Sequence, residues 1–153
     1  RRTFLLALAS AALLPAVPAL AAPPSLPGDK ATPEEIVRVM YARMAAEVYD
    51  HLIEKKPRQR YYSASTAALL EKVFRLGYEP LIDGQDGEAK ELQVVTVSPD
   101  AAKAVVEARF VSFGDKVTVG FDFVNEKGVW RIQDIRGREG TSLRAIAAEY
   151  LKS

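Results

Sequence analysis

Two carboxylates and an amide lie within four residues of one another in the loop that contains Asp83, Gln85 and Asp86. Carboxylate and amide oxygens at this spacing can hold a polar ligand or a hydroxyl group. The alternative is structural, because such side chains commonly bond the amides of their own turn or cap a neighbouring strand. Calcium is a third option, but the spacing lacks the regular alternation and the terminal glutamate of an EF-hand loop. The sequence therefore predicts either a polar ligand site or a structural turn.

Asp134 is a second candidate because of the strand in which it lies. Strict alternation places it on the same face as Trp130, which is expected to point into the core or into a pocket. A carboxylate there can have a raised pKa, so Asp134, like Asp83, is a candidate general base, and Trp130 is a candidate ligand contact. The alternative is that Asp134 caps a turn or pairs with Arg136 or Arg144.

His51 is the one histidine of the chain, and it lies near the end of the first predicted helix. A histidine at a helix C-terminus interacts favourably with the helix dipole, so we expect an exposed, structural residue. The sequence contains no G-x-S-x-G elbow, which argues against a hydrolase triad of a serine, this histidine and an acid. A basic–aromatic cluster is formed by Arg58, Arg60, Tyr61 and Tyr62; we expect it either to bind a phosphate, glycan or acidic partner or to be a solvated loop with its tyrosines packed against the sheet.

Composition removes several classes of chemistry. The 153 residues include no cysteine and one histidine, which excludes disulfides, thiolate nucleophiles, iron–sulfur clusters and Cys- or His-rich metal sites. Phosphate-binding loops and dinucleotide fingerprints are also absent, so we predict no cofactor and no metal. The balance of 21 Lys and Arg against 20 Asp and Glu argues against an electrostatic nucleic-acid binder.

The first residues are typical of an export signal. Arg1 and Arg2 precede an uncharged run of 11 residues, Phe4–Leu14, which prolines then break. A permanent membrane span needs about 20 apolar residues, so we predict a signal peptide over residues 1–21, with cleavage after Ala21. The paired arginines suggest twin-arginine export, and general secretion is the alternative. No cysteine follows for a lipid anchor, so the product is expected in the periplasm or outside the cell, without a membrane partner.

The fold is predicted to begin after a short leader. Residues 22–31 contain three prolines and one glycine and show no apolar period, which is typical of a flexible segment. Thr32, Pro33 and Glu35 then have the types and spacing of a helix N-cap, a first helical residue and a capping-box acid. Apolar residues recur every four positions as far as Leu52, which predicts a helix of about five turns.

A second helix is predicted after a charged connection. The segment 55–60 carries four positive charges around Pro57, so we expect it to form a surface connection. The helix that follows has Ser63 or Ser65 as its N-cap, and Gly77 marks its end.

The remainder of the chain changes its apolar period from four to two. Four strands are predicted, at residues 91–97, 103–113, 116–124 and 129–135. The short turns between them require an antiparallel meander, and Ser142 is the expected cap of a short last helix. Residues 32–153 are therefore predicted to form one α+β domain, with a long first helix packed in a curved sheet whose open end can leave a pocket.

The order of helices and meander, closed by the strand at 129–135, resembles the nuclear-transport-factor-2-like superfamily of cone-shaped, cystatin-like domains. More narrowly, the loop 79–86, this closing strand and Ser142-Leu143-Arg144 resemble an exported bacterial family known as domain of unknown function 3828. The family prefers aspartate at the position of Glu79. The resemblance implies the cone fold and export but no activity, because the superfamily includes ligand binders, isomerases, dehydratases and interaction modules.

We therefore expect a soluble exported domain that binds a small ligand or a periplasmic protein, through the open end of the cone or an exposed sheet face. The alternative is a small lyase, isomerase or hydrolase-like enzyme with Asp134 or Asp83 as general base. The protein is expected to act as a monomer or a homodimer.

Overall fold

The computed structural model describes residues 21–73 and 75–153. Within them the chain is an α+β domain with four α-helices and one four-stranded antiparallel sheet, which confirms the predicted class. The helices are α1 (Pro33–Ala45), α2 (Lys55–Tyr61), α3 (Ala64–Glu71) and α4 (Leu143–Tyr150), and the strands are β1 (Lys90–Ser98), β2 (Lys103–Ser112), β3 (Asp115–Glu126) and β4 (Val129–Arg136). None of the helices in these two ranges has the length and hydropathy to span a membrane. Arg1, Arg2 and Phe4 lie outside the described residues, so the export signal and its cleavage stay predictions.

Helix α1 begins as the sequence predicts but ends early. The Thr32 hydroxyl accepts from the Glu35 amide, and the Glu35 carboxylate accepts from the Thr32 amide at 2.7 Å. The prediction of about five turns is wrong, because α1 stops at Ala45. Glu47 adopts a left-handed φ of 60°, and the next amide, of Val48, donates back to the Arg43 carbonyl at 3.0 Å, which closes a Schellman motif. The chain then turns away from the helix axis.

The prediction of a surface connection at residues 55–60 is also wrong, because this segment forms most of α2. Pro57 lies in the first turn of the helix, where its missing N–H leaves no intrahelical bond unmade. Arg58 is buried and its guanidinium donates to the Ile53 carbonyl at 2.8 Å. Ser63 rather than Ser65 caps α3, since its hydroxyl accepts from the Thr66 amide.

The strands lie in the order β1-β2-β3-β4, and each boundary is within two residues of its prediction. One face of the sheet forms the core with α1, α3 and α4; its largest buried members include Val106, Val119, Phe121 and Ile132. Residues that alternate with the buried ones carry charge on the other face, such as the Arg109–Glu107 ion pair at 2.7 Å.

A bulge interrupts the pairing of β3 with β4. Phe123 pairs with Ile132, but Asp122 pairs with Asp134, so β4 contains one extra residue at this point. The strict alternation that placed Asp134 on the face of Trp130 and Ile132 is therefore broken. This part of the sequence analysis is wrong because a bulge shifts the side-chain phase by one residue.

The leader at residues 22–31 forms no helix or strand, as predicted, but it contacts the helices. Arg43 donates to the carbonyl of Pro24, and Arg60 donates to the carbonyls of Pro27 and Gly28. Pro27 is buried. The leader is thus docked on the domain through two arginines, and its flexibility in solution stays a prediction.

Candidate functional site

His51 is buried, with 4% of its surface exposed, so the expected exposed histidine is wrong. The early end of α1 turns the chain back and brings His51 between Tyr62, which follows α2, and Glu79, in the loop after α3. Nδ1 of His51 lies 2.7 Å from the Tyr62 hydroxyl, and Nε2 lies 3.1 Å from Oε1 and 3.3 Å from Oε2 of Glu79. We call Tyr62, His51 and Glu79 the His51 cluster.

Hydrogen bonding fixes one proton position in the His51 cluster. Burial, and secondarily the Glu79 carboxylate, raise the pKa of Tyr62 well above its ordinary value, so the phenol keeps its proton. Among the described residues its partner is Nδ1 of His51, and the phenol oxygen can donate to this nitrogen or accept from it. Nε2 faces the Glu79 carboxylate, which accepts, so Nε2 carries a proton that it donates to Glu79. The cluster thus places the imidazole of His51 between a phenol and a carboxylate.

Glu79 is fixed in position by its own loop. Its Oε1 accepts from the Leu81 amide at 2.9 Å, and its backbone pairs with Gly84 in an isolated bridge. The Tyr41 hydroxyl donates to the Leu81 carbonyl at 2.6 Å, which ties the loop to α1. Within the described part of the chain, Oε1 therefore has two partners, whereas Oε2 has one contact, to Nε2 of His51 at 3.3 Å. Because a carboxylate oxygen can accept two hydrogen bonds, Oε2 has acceptor capacity to spare.

A groove of about 310 Å³ opens beside Glu79, and we call it the apolar groove. Its walls come from the turn after α1, from α3 and from the segment after α3. The lining residues are Tyr49, Leu52, Ile53, Leu70, Val73, Arg75, Leu76, Gly77, Tyr78, Glu79 and Gln85. Two of them are large apolar side chains with much of their surface in solvent, Tyr49 at 51% and Ile53 at 71%. A mostly apolar concavity with a few polar groups is the usual form of a small-molecule site.

A second groove, of about 710 Å³, lies on the other side of Tyr49, between α1 and the start of β1. Its charged lining residues are two acids and two bases: Glu47, Glu88, Arg38 and Lys90. Lys90 is 2.7 Å from Glu88, so part of this charge is already paired. The apolar groove differs in having a mostly buried carboxylate at its wall.

The structure places Asp83 in a clamp between two loops. Its Oδ1 accepts from the Tyr78 hydroxyl at 2.8 Å, and its Oδ2 accepts from the Arg138 amide at 2.8 Å and from Nε of Arg138 at 3.0 Å. Burial raises the pKa of Asp83, but these hydrogen bonds together outweigh it and hold the pKa below its ordinary value. A Cβ on Gly137 would lie 1.9 Å from Oδ1, so only glycine fits there.

The two neighbours of Asp83 in the predicted site have different surroundings. Asp86 is exposed and accepts from the Gly87 amide at 2.9 Å. Gln85 is exposed and lines the apolar groove, unlike Asp83 and Asp86. Binding of a ligand by these three residues stays a prediction, and the structure adds that Gln85 is the member placed beside the groove.

Asp134 joins β4 to the start of α4. Its Oδ1 accepts from the amides of Ile135 at 2.9 Å and Arg144 at 3.0 Å, and its Oδ2 accepts from the Ser142 hydroxyl at 2.5 Å. Ser142 in turn caps α4, as predicted. Neither Asp134 nor Trp130, which is half-buried, lines the apolar groove. A role for either in catalysis or binding stays a prediction.

The sequence analysis missed Glu79 and Tyr62 as partners of His51. The signal that was available is the run Val48-Tyr49-Asp50, because β-branched, aromatic and turn-forming residues disfavour a continuing helix. An earlier helix end would have freed His51 to turn inward. Among the described residues, no group of three His, Asp or Glu side chains is placed to hold a metal ion.

No protein-family model matches this chain, and no curated protein is significantly similar to it. Among solved structures, a phospholipid-binding protein from Ralstonia solanacearum, determined in complex with a phospholipid, aligns with 80% of this chain at 14% identity and a TM-score of 0.33. The chain spans about half of that protein, 54% of its length. A TM-score of this size does not establish a shared fold. The cone fold and the family resemblance therefore stay predictions.

Proposed function

We propose that this protein binds a small, largely apolar molecule in the apolar groove beside Glu79. The observation that carries the proposal is that exposed apolar side chains and a mostly buried carboxylate line the same groove. Tyr49 and Ile53 expose apolar surface at the groove, and the mostly buried Glu79, one of whose carboxylate oxygens has acceptor capacity to spare, lines the same groove.

The apolar residues supply the affinity in this proposal. Complete burial of a side chain such as that of Ile53 contributes about 1.5–3 kcal/mol, and a ligand lying over it recovers part of that amount. The polar groups supply orientation, since Oε2 of Glu79 and the Gln85 amide can each form a hydrogen bond with a ligand. No step of bond making or breaking is needed for this function.

Binding can be measured with the neutral fluorescent probe N-phenyl-1-naphthylamine. We expect the wild-type protein to bind it and Ile53→Ser to weaken binding about fivefold, because the substitution removes about 1 kcal/mol of apolar contact. Phe113→Ser is the matched control, since Phe113 is 74% exposed at the turn between β2 and β3 and does not line the groove. Absence of probe binding, or equal losses in the two variants, would contradict the proposal.

We also propose that the protein acts in the periplasm or outside the cell, as a soluble cone-like domain released by cleavage after Ala21. The support is the charged start and short apolar run of residues 1–21, together with the observed order of helices and meander. Mass spectrometry of the exported protein is expected to give an N-terminus at Ala22. Changing both Arg1 and Arg2 to lysine should abolish export by the twin-arginine route and leave general secretion intact. Retention of an uncleaved chain in the cytoplasm would overturn this proposal.

A further inference from the structure

We propose that the ligand of the apolar groove carries a positively charged ammonium head, which binds at Glu79 while its apolar body lies along the groove. This inference rests on the proposed binding function and names the chemical class of the ligand. It depends on the charge of the His51 cluster and on the aromatic residues near it.

In this proposal the Tyr62 phenol donates to Nδ1, so that His51 is the neutral tautomer and leaves the charge of the Glu79 carboxylate unbalanced. The Glu79 side chain is only 14% exposed, and among the described residues no lysine or arginine forms an ion pair with it. A mostly buried charge is costly unless it is paired, so a cation at Oε2 would be favoured.

Two tyrosines line the groove together with Glu79. Tyr49 and Tyr78 contribute aromatic rings, and cations are attracted to the faces of such rings. The Tyr78 hydroxyl donates to Asp83, which restricts the position of its ring. A carboxylate with nearby tyrosines is a set of groups suited to an ammonium ion.

Among the residues that the structure describes, Arg75 is the one positively charged residue that lines the apolar groove, and it would favour an anionic head instead. Arg75 is exposed, whereas Glu79 is mostly buried. The attraction between two charges is about four times stronger at an effective dielectric constant of about 20, which describes buried protein sites, than in bulk water, which surrounds an exposed side chain. The buried carboxylate is therefore expected to determine the sign of the preferred head.

The test uses three ten-carbon ligands that differ in the head: decylammonium, decanol and decanoate, each below its micelle concentration. Their affinities are measured by displacement of N-phenyl-1-naphthylamine from the full-length mature protein. We expect decylammonium to bind about tenfold more tightly than decanol, as a charge-assisted hydrogen bond implies, and decanoate to bind most weakly.

Glu79→Gln should remove the preference for decylammonium and leave the decanol affinity within about twofold of wild type, because the apolar contacts remain. Glu54→Gln is the matched control, since Glu54 is exposed beside Ile53 and does not line the groove. The control should keep the preference. Unchanged decanol binding also shows that the Glu79 variant is folded.

The outcomes separate the two proposals. If decanol and the probe bind but decylammonium has no advantage, or if decanoate binds most tightly, the ammonium head is wrong and the binding function stands. Retention of the preference in Glu79→Gln likewise overturns the inference. If none of the three ligands and not even the probe binds, the binding function itself fails.

Discussion

Two carboxylate-centred regions of this domain are built in opposite ways. Asp134 binds two backbone amides and the cap residue of a helix, and all three donors belong to the fold. Glu79 binds one amide and one imidazole; it lines the apolar groove, and its Oε2 has acceptor capacity to spare. Asp83, with its phenol, amide and guanidinium donors, belongs with Asp134.

The difference teaches that the partners of a buried acid indicate its role better than its position in the sequence. A carboxylate whose two oxygens are both occupied by strong donors of the fold holds elements together. A carboxylate with one oxygen that has acceptor capacity to spare, beside exposed apolar surface, is available to a ligand. If this distinction is right, substitutions at the first kind of acid should damage stability, and those at the second should damage binding.

The largest effect on stability is expected at the Asp83 clamp. Gly137→Ala puts a methyl group 1.9 Å from Oδ1 of Asp83, so the carboxylate must move and lose its donors. We expect a loss of about 3 kcal/mol in the free energy of unfolding, measured by urea denaturation. Gly28→Ala, with open space around its Cβ position, should change it by less than about 0.5 kcal/mol. Similar losses in both variants would show that the clamp has no special role.

The next effect tests the hydrogen bonds of the His51 cluster. His51→Leu should cost about 2–3 kcal/mol, because it leaves the buried Tyr62 hydroxyl and Glu79 without their partner. Adding Tyr62→Phe should restore about 1 kcal/mol, since the orphaned hydroxyl is removed with it. Suppose instead that Tyr62→Phe destabilises His51→Leu by as much as it destabilises the wild type. This result would contradict the hydrogen bond between Tyr62 and His51.

A third effect tests Asp134 as a structural acid. Asp134→Ala leaves the amides of Ile135 and Arg144 and the Ser142 hydroxyl without their acceptor, and should lower the free energy of unfolding by about 2 kcal/mol. Asp86→Ala removes one exposed contact and is expected to cost less than about 0.5 kcal/mol. The difference can be read by urea denaturation of the two variants beside wild type. If Asp134→Ala has the same free energy of unfolding as wild type, the result would favour the other sequence-based prediction, that this acid serves a binding or catalytic site.

The smallest effect is the dependence of the Asp83 clamp on pH. The pKa of Asp83 is lower in the folded chain than its ordinary value of 3.8, so its contribution to stability is present above that pH and is lost as the pH falls below it. We expect the stability difference between wild type and Asp83→Asn to shrink from pH 6 to pH 3. A difference that grows on acidification would have the wrong sign.

Local patterns in the sequence predicted much of the fold. The caps at Thr32, Ser63 and Ser142 and the four strands depend on residues close in sequence, and they are present in the structure. The end of α1 was missed because its Schellman motif has a glutamate, Glu47, where glycine is usual.

The candidate site was less predictable because it is assembled from distant segments. His51, Tyr62 and Glu79 meet only after the turn that follows α1 has formed. The face of the sheet on which Asp134 lies depends on a bulge, and the pattern of apolar residues in β4 does not indicate this bulge. The sequence did indicate the structural alternative for Asp134, a turn cap or a contact with Arg144. In the structure that contact uses the Arg144 amide rather than the guanidinium.

The most direct test of the central claim is the affinity for decylammonium of Glu79→Gln and Asp134→Asn, measured at a temperature where both variants are folded. The account predicts a loss of about tenfold for Glu79→Gln and a change within about twofold for Asp134→Asn. The reverse result, with binding lost in Asp134→Asn and retained in Glu79→Gln, would contradict the account.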